Sequence, residues 1–238
     1  VLATHGRGII IIDDISPLRE INKESLSQKL YFFKDDNYII SDLGGFADSF
    51  GRETQFFGPN STLNAQIKYL LPKRHTFGKM TMEIFDNNGK LVTKLSPGKS
   101  KGMNFVSWNY RMKQPKVAKG KTLARGGLSS PRVKEGKYDL VITKGKDIFT
   151  KSIHVMDDPN TDLDSDEKKL KQDTTMKLYD LSEELAYVVY TIDEILSSDN
   201  FKKGIKNKLQ TLKESLVITT GDNYVGQAEN ELRENLLC

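Results

Sequence analysis

Cysteine is nearly missing from this chain, and that absence excludes several things at once. The single thiol, Cys238, stands at the last of 238 positions, so no internal disulfide can form. Cys/His spacing for a structural metal is absent as well. The three histidines, His5, His75 and His154, are far apart in sequence and make no metal motif. Cysteine scarcity fits a cytosolic protein and many exported bacterial proteins alike, so it leaves the compartment open. No apolar run reaches the roughly 18 to 20 residues that a transmembrane helix needs, so no membrane span is expected. No signal peptide is visible. The chain opens at Val1 inside what reads as a strand, and is read as a piece of a longer polypeptide.

Catalytic signals are equally sparse. A Ser nucleophile needs a base and an orienting group beside it, and the serines and scattered histidines give no such pattern. The nearest thing to a phosphate loop, Gly6-Arg7-Gly8, lacks the lysine and the following helix that a phosphate cradle requires. No catalytic residue, metal ligand or cofactor is therefore assigned, and the binding residues stay open.

Apolar residues make up 37% and charged residues 29%, an ordinary soluble composition with a formal net charge of +4. That balance does not call for a nucleic-acid partner. The charge is uneven: lysine and arginine dominate from Lys99 to Lys151, against only Glu135, Asp139 and Asp147.

Periodicity then divides the chain. Val1 to Asp14 reads as two strands or one bent strand, kinked at Gly6 and Gly8. Ser16-Pro17 starts a short helix. Leu30 to Phe33 and Tyr38 to Ile40 are short strand-like pieces around Asp35-Asp36-Asn37, and the connection up to Thr54 looks irregular. From Gln55 the pattern is β. Ala65–Leu71 and Met80–Asp86 alternate, Asp86-Asn87-Asn88-Gly89 is a turn, and Leu91–Leu95 returns as a hairpin arm. Met103–Tyr110 is a further strand, and Gly136–Lys144 with Ile148–Val155 forms a second hairpin. After Asp157-Asp158-Pro159 the period changes to about 3.6. Met176, Leu181, Leu185, Val188, Val189, Ile192 and Leu196 make one stripe. Ser197 to Asn200 breaks it, and Phe201, Ile205, Leu209, Leu212 and Leu216 make another. Together these predict a helical hairpin, with a third short helix within Ala228 to Leu237.

The opening segment, Leu2-Ala-Thr-His-Gly-Arg-Gly-Ile followed by Asp13-Asp14-Ile15-Ser16-Pro17-Leu18-Arg19, resembles the end of the last blade in bacterial BNR (Asp-box) β-propeller proteins, which are glycosyl hydrolase-like and sialidase- or sortilin-like. Phe56-Phe57-Gly58-Pro59-Asn60 is similar to their entry into a following domain. Residues 79 to 144, with Asp86-x-x-Gly89-Lys90, Gly102 leading to Trp108, and Gly136-x-Tyr138-x-Leu140-x-Ile142, resemble the Ig-like module behind such propellers. The Asp-box itself is absent from this chain.

The resemblance implies a mainly β protein with a helical tail: 1–27 a closing propeller strand and short helix, 28–54 a connection, 55–157 an Ig-like β-sandwich, and 158–238 a helical hairpin region. It implies a secreted, periplasmic or cell-surface setting. It also implies a non-catalytic accessory module whose partner is the upstream propeller of its own polypeptide, or another protein or a glycan. The other reading is the accessory tail of a propeller-type glycoside hydrolase whose catalytic residues precede Val1.

Four features have a functional and a plainer reading, and the plainer is preferred in each. Thr4-His5-Gly6-Arg7-Gly8 is a blade turn before it is a ligand cleft. Asp162, Asp164 and Asp166 match the first three calcium ligands of an EF-hand loop. However, Glu167 replaces the loop glycine and Asp173 the final Glu, so they read as a linker favouring the coming helix. The clustered cations of Arg111 to Lys137 suit nucleic acid, an anionic glycan or a lipid headgroup, but no aromatic interleaves them to stack on bases, so the stretch reads as a solvated loop. Trp108 is expected inside the sandwich, not on a sugar platform.

Overall fold

The computed structural model describes residues 2–4, 8–10, 14–34, 38–40, 64–120, 130–159, 164–219 and 232–237. The chain is mainly β with a helical C-terminal part, and it divides into two compact units. One comprises Val1–Tyr110 with Val133–Thr161, the other Arg111–Arg132 with Asp162–Cys238.

In the first unit, β1 (Leu2–Thr4) and β2 (Gly8–Ile10) pair antiparallel. Two short helices come next. In α1 (Ser16–Glu20), Pro17 sits in the first turn, where its missing N–H costs nothing. In α2 (Lys23–Ser27), the Asn22 side chain accepts from Ser25 N–H while the Ser25 hydroxyl accepts from Asn22 N–H, a reciprocal cap.

The remaining strands build two sheets. One has the order β3 (Tyr31–Phe32), β5 (Ala65–Leu71), β8 (Gly102–Trp108). The other runs β4 (Tyr38–Ile40), β10 (Asp147–Asp157), β9 (Gly136–Lys144), β6 (Met80–Asp86), β7 (Leu91–Leu95). All pairings are antiparallel except β4 with β10. Alternation in the sequence explains which face is buried. Met80, Met82 and Ile84, Leu140 and Ile142, and Ile153 and Val155 are all buried, as are Ile67, Tyr69, Val106 and Trp108. Rings from the two sheets meet where Trp108 lies 6.1 Å from Tyr138.

Turn chemistry matches the sequence closely. Asp86 Oδ1 accepts from the N–H groups of Asn88 and Lys90, each at 2.9 Å, and Gly89 takes a positive φ of 73°. The second hairpin turns through Gly145, also at positive φ, with Lys144 opposite Asp147.

Two segments differ from the sequence expectation. Residues 28–40, placed in a connection with two short strand-like pieces, do form β3 and β4, but these join the sheets of the following module, one strand to each. Their partners lie in strands far along the chain, Tyr31 opposite Leu70 and Tyr38 opposite Val155, so no local period signals the pairing. Residues 111–132, read as a solvated loop between strands, belong to the helical unit.

That second unit holds α3 (Ser165–Ser197), α4 (Lys203–Leu216) and α5 (Leu232–Leu237). Lys206 Nζ donates to the Leu196 carbonyl oxygen at the end of α3, and Lys213 pairs with Asp193 at 2.6 Å. The unit's core is Ala118, Leu185, Val189 and Val217. The buried side of α3 is rotated from the expected stripe. Tyr179, Ser182, Leu185, Val189 and Ile192 are buried, whereas Leu181 and Val188 are exposed. The rotation follows the strap 111–120, which covers the Tyr179–Glu183 side; the buried Ser182 hydroxyl donates to the Leu178 carbonyl oxygen.

Candidate functional site

The features singled out by sequence fall in different places. His5, Gly6, Arg7, Asp162, Cys238 and the Phe56–Asn60 run lie outside the described residues. Trp108 is buried against Tyr110 and Tyr138. Asp164 is the N-cap of α3, its Oδ1 accepting from Asp166 and Glu167 N–H at 2.8 Å each. Among the described residues no group of three His, Cys, Asp or Glu side chains could hold a metal. No described helix is long and apolar enough to cross a membrane.

Among its described residues the basic stretch keeps its lysines exposed, while Glu183 anchors part of it. Glu183 accepts from Lys113 Nζ at 3.3 Å, Lys116 N–H at 3.4 Å and the Tyr179 hydroxyl at 3.3 Å. Burial opposes the charge on Glu183, yet these donors outweigh it and hold its carboxyl below the ordinary value. Burial and that same carboxylate push the Tyr179 phenol up.

A groove of about 420 Å³ opens in the first unit, between Gln28–Lys34 and Phe149–Lys151. Its formation stems from strand alternation. The inward face of β10 buries Val155 and Ile153; the next two inward positions are Lys151 and Phe149, which line the groove. Lys151 bridges the sheets: its ammonium donates to the Phe33 carbonyl oxygen and lies 5.9 Å over the Phe32 ring. Tyr31 stacks edge-on against buried Phe33. Its hydroxyl donates to Glu20 at 2.9 Å, and the Glu20 contact raises the phenol above its ordinary value. Near the groove, Lys29 pairs with Asp147 at 2.7 Å.

The described lining residues offer aromatic faces and ammonium groups, with no carboxylate, histidine or cysteine among them. Proton abstraction or nucleophilic attack needs such groups in partnership. The arrangement is suited to receiving a flat apolar face, such as a sugar ring or an aliphatic side chain. Sequence reasoning assigned no residue here. The three-aromatic run Tyr31-Phe32-Phe33 was the available signal, but nothing local ties it to Phe149.

No model of a known protein family matches the chain, and neither the curated proteins nor the solved structures include a match to it.

Proposed function

We propose that this chain is a non-catalytic accessory module, Ig-like in its two-sheet unit, that clasps the end of a β-propeller in a secreted or cell-surface polypeptide. The observation that carries this reading is the tie between Asp14 and Lys68. Asp14 belongs to the Asp-Asp-Ile-Ser-Pro-Leu-Arg segment that resembles a propeller's closing stretch. Its Oδ2 accepts from Lys68 Nζ on β5 at 2.5 Å, and its Oδ1 from Ser16 N–H at 2.8 Å. A closing segment held on the sheet of the next module makes a stiff junction, in contrast to a free linker.

Strand order supports the Ig-like part of the reading. β3-β5-β8 beside β4-β10-β9-β6-β7 resembles the immunoglobulin division into an A-B-E sheet and a G-F-C-C′ sheet. Tyr138, near the start of β9, donates back to the Lys134 carbonyl oxygen at 2.7 Å, the counterpart of a tyrosine corner. Trp108 departs from the pattern, because it stands on β8 and not on the strand equivalent to C. The groove over Phe32 is the face we assign to a glycan or protein partner.

The test uses a polypeptide that carries the propeller as well. Lys68→Met should speed proteolysis between residues 14 and 40 while the emission of Trp108 stays unchanged. An unchanged cleavage rate would remove the junction. Hydrolysis of aryl glycosides by the 238-residue chain alone would overturn the non-catalytic reading.

A further inference from the structure

Three loops close one end of the two-sheet unit: residues 72–79 between β5 and β6, 96–101 between β7 and β8, and 145–146 between β9 and β10. Lys73, Arg74, Lys79, Lys99, Lys101 and Lys146 are all exposed there. None of the three loops contains Asp or Glu. The adjoining carboxylate, Asp147, is engaged by Lys29. Among these cations stands Phe77, 88% exposed. A single exposed ring is ordinary on a protein surface; what distinguishes Phe77 is that it shares this end with six cations and no loop carboxylate.

The loops are tied together. His75 N–H donates to the Lys99 carbonyl oxygen at 3.0 Å, and Gly145 N–H to that of Lys79 at 3.2 Å. Inside the 96–101 loop, buried Asn104 accepts from Ser100 N–H and donates to the Ser100 and Gly102 carbonyl oxygens. The Tyr69 hydroxyl donates to the Gly98 carbonyl oxygen at 2.5 Å. Gly78, at φ 90°, turns the chain directly after Phe77. The loop backbones that carry the cations and the ring are thus tied together before any partner arrives, which lowers the ordering cost of binding.

We propose that this end of the unit docks peripherally on an anionic lipid bilayer, with Phe77 entering the headgroup–acyl boundary and the surrounding lysines and Arg74 meeting lipid phosphates. The chemistry separates this from nucleic-acid binding. A nucleic-acid channel stacks successive bases on several aromatics along a groove, and here one ring stands at a loop end. A bilayer presents its phosphates as a layer above an apolar interior, so one apolar group inside a ring of cations matches both at once. The six cations come from loops far apart in sequence, which is why the composition alone does not single them out.

Co-sedimentation of the full chain with vesicles tests this, at about 0.1 M salt, where exposed charges still act over a Debye length of about 10 Å. Vesicles of phosphatidylcholine with phosphatidylserine should retain the chain, and pure phosphatidylcholine should not. Phe77→Ser should weaken retention on the order of ten-fold. Lys99→Glu with Lys101→Glu should weaken it by at least about twenty-fold, since each lysine near such a surface contributes roughly five-fold. Lys177→Glu with Lys208→Glu, on α3 and α4, should leave it unchanged. The proposal is overturned if anionic vesicles do not retain the chain, if Phe77→Ser has no effect, or if the control pair weakens retention as much as the tip pair. Stronger retention by duplex DNA that is indifferent to Phe77→Ser would overturn it in favour of a polyanion.

Discussion

Arg233 donates from Nε to the main-chain oxygen of Ala118 at 2.8 Å, across 115 residues of sequence. Its side chain is buried, and Ala118 is itself part of the helical core. A guanidinium taken out of water is tolerated only with hydrogen-bond partners, so this contact is the pin that fastens the strap 111–120 to α5.

Arg233→Ala should therefore lower the stability of the helical unit by about 2 kcal/mol, the range for a hydrogen bond to a charged group. Gly120→Ala should act in the same direction, because an added Cβ would lie 2.8 Å from the Arg233 guanidinium and 3.3 Å from the Ile218 carbonyl oxygen. Hydrogen exchange would check both: amides of 112–118 should lose protection, and those of β6 and β9 should keep theirs.

Trp108 is the only tryptophan and is buried in the two-sheet unit. Its emission should be blue-shifted in the native protein and should report the unfolding of that unit alone. Trp108→Ala should cost roughly 3 to 5 kcal/mol through lost burial and the cavity left behind. Denaturant titration followed by far-ultraviolet circular dichroism should then show the β signal melting early while the helical signal persists.

The Asp14–Lys68 pair should make the junction sensitive to acid. The hydrogen bond from Lys68 is the main cause that lowers the Asp14 carboxyl from 3.8 to about 2. A carboxyl depressed in the folded state stabilises above its unfolded value, and that contribution is lost as pH falls from about 4 through 2. Asp14 is 37% exposed, so water screens the pair and the effect should stay within about 1 kcal/mol. Asp14→Asn should flatten the pH dependence of proteolysis at residues 14–40 in that window.

At the alkaline limit two phenols act together. Burial raises Tyr69 and Tyr138 from 10 to about 12 each. For a group raised in the folded state, the stabilisation is complete below about pH 10 and disappears as pH rises towards about 12. Alkaline unfolding of the two-sheet unit should fall in that interval, and Tyr69→Phe with Tyr138→Phe should move its midpoint upward. The same pair should cost about 1 kcal/mol per hydroxyl at neutral pH, because the Gly98 and Lys134 carbonyl oxygens lose their donors.

Periodicity and turn chemistry were sufficient for the β-to-α change near Asp158, the Asp86–Gly89 and Gly145 turns, the burial of Trp108, and the break between α3 and α4. Each depends on contacts a few residues apart, on strand alternation or on i to i+4 bonding, so the residues carry it locally. Tertiary structure decided the rest. Which sheets β3 and β4 join was decided by the distant strands β5 and β10, which pair with the 28–40 segment. The buried face of α3 turned towards Tyr179 because a strap from between two β-strands covers it. The groove joins Phe32 to Phe149, and the cationic end joins Phe77 to Lys99 and Lys146. Such juxtapositions depend on which segments meet, and that is settled by backbone pairing and burial between segments far apart in the chain, beyond the reach of any short window of sequence.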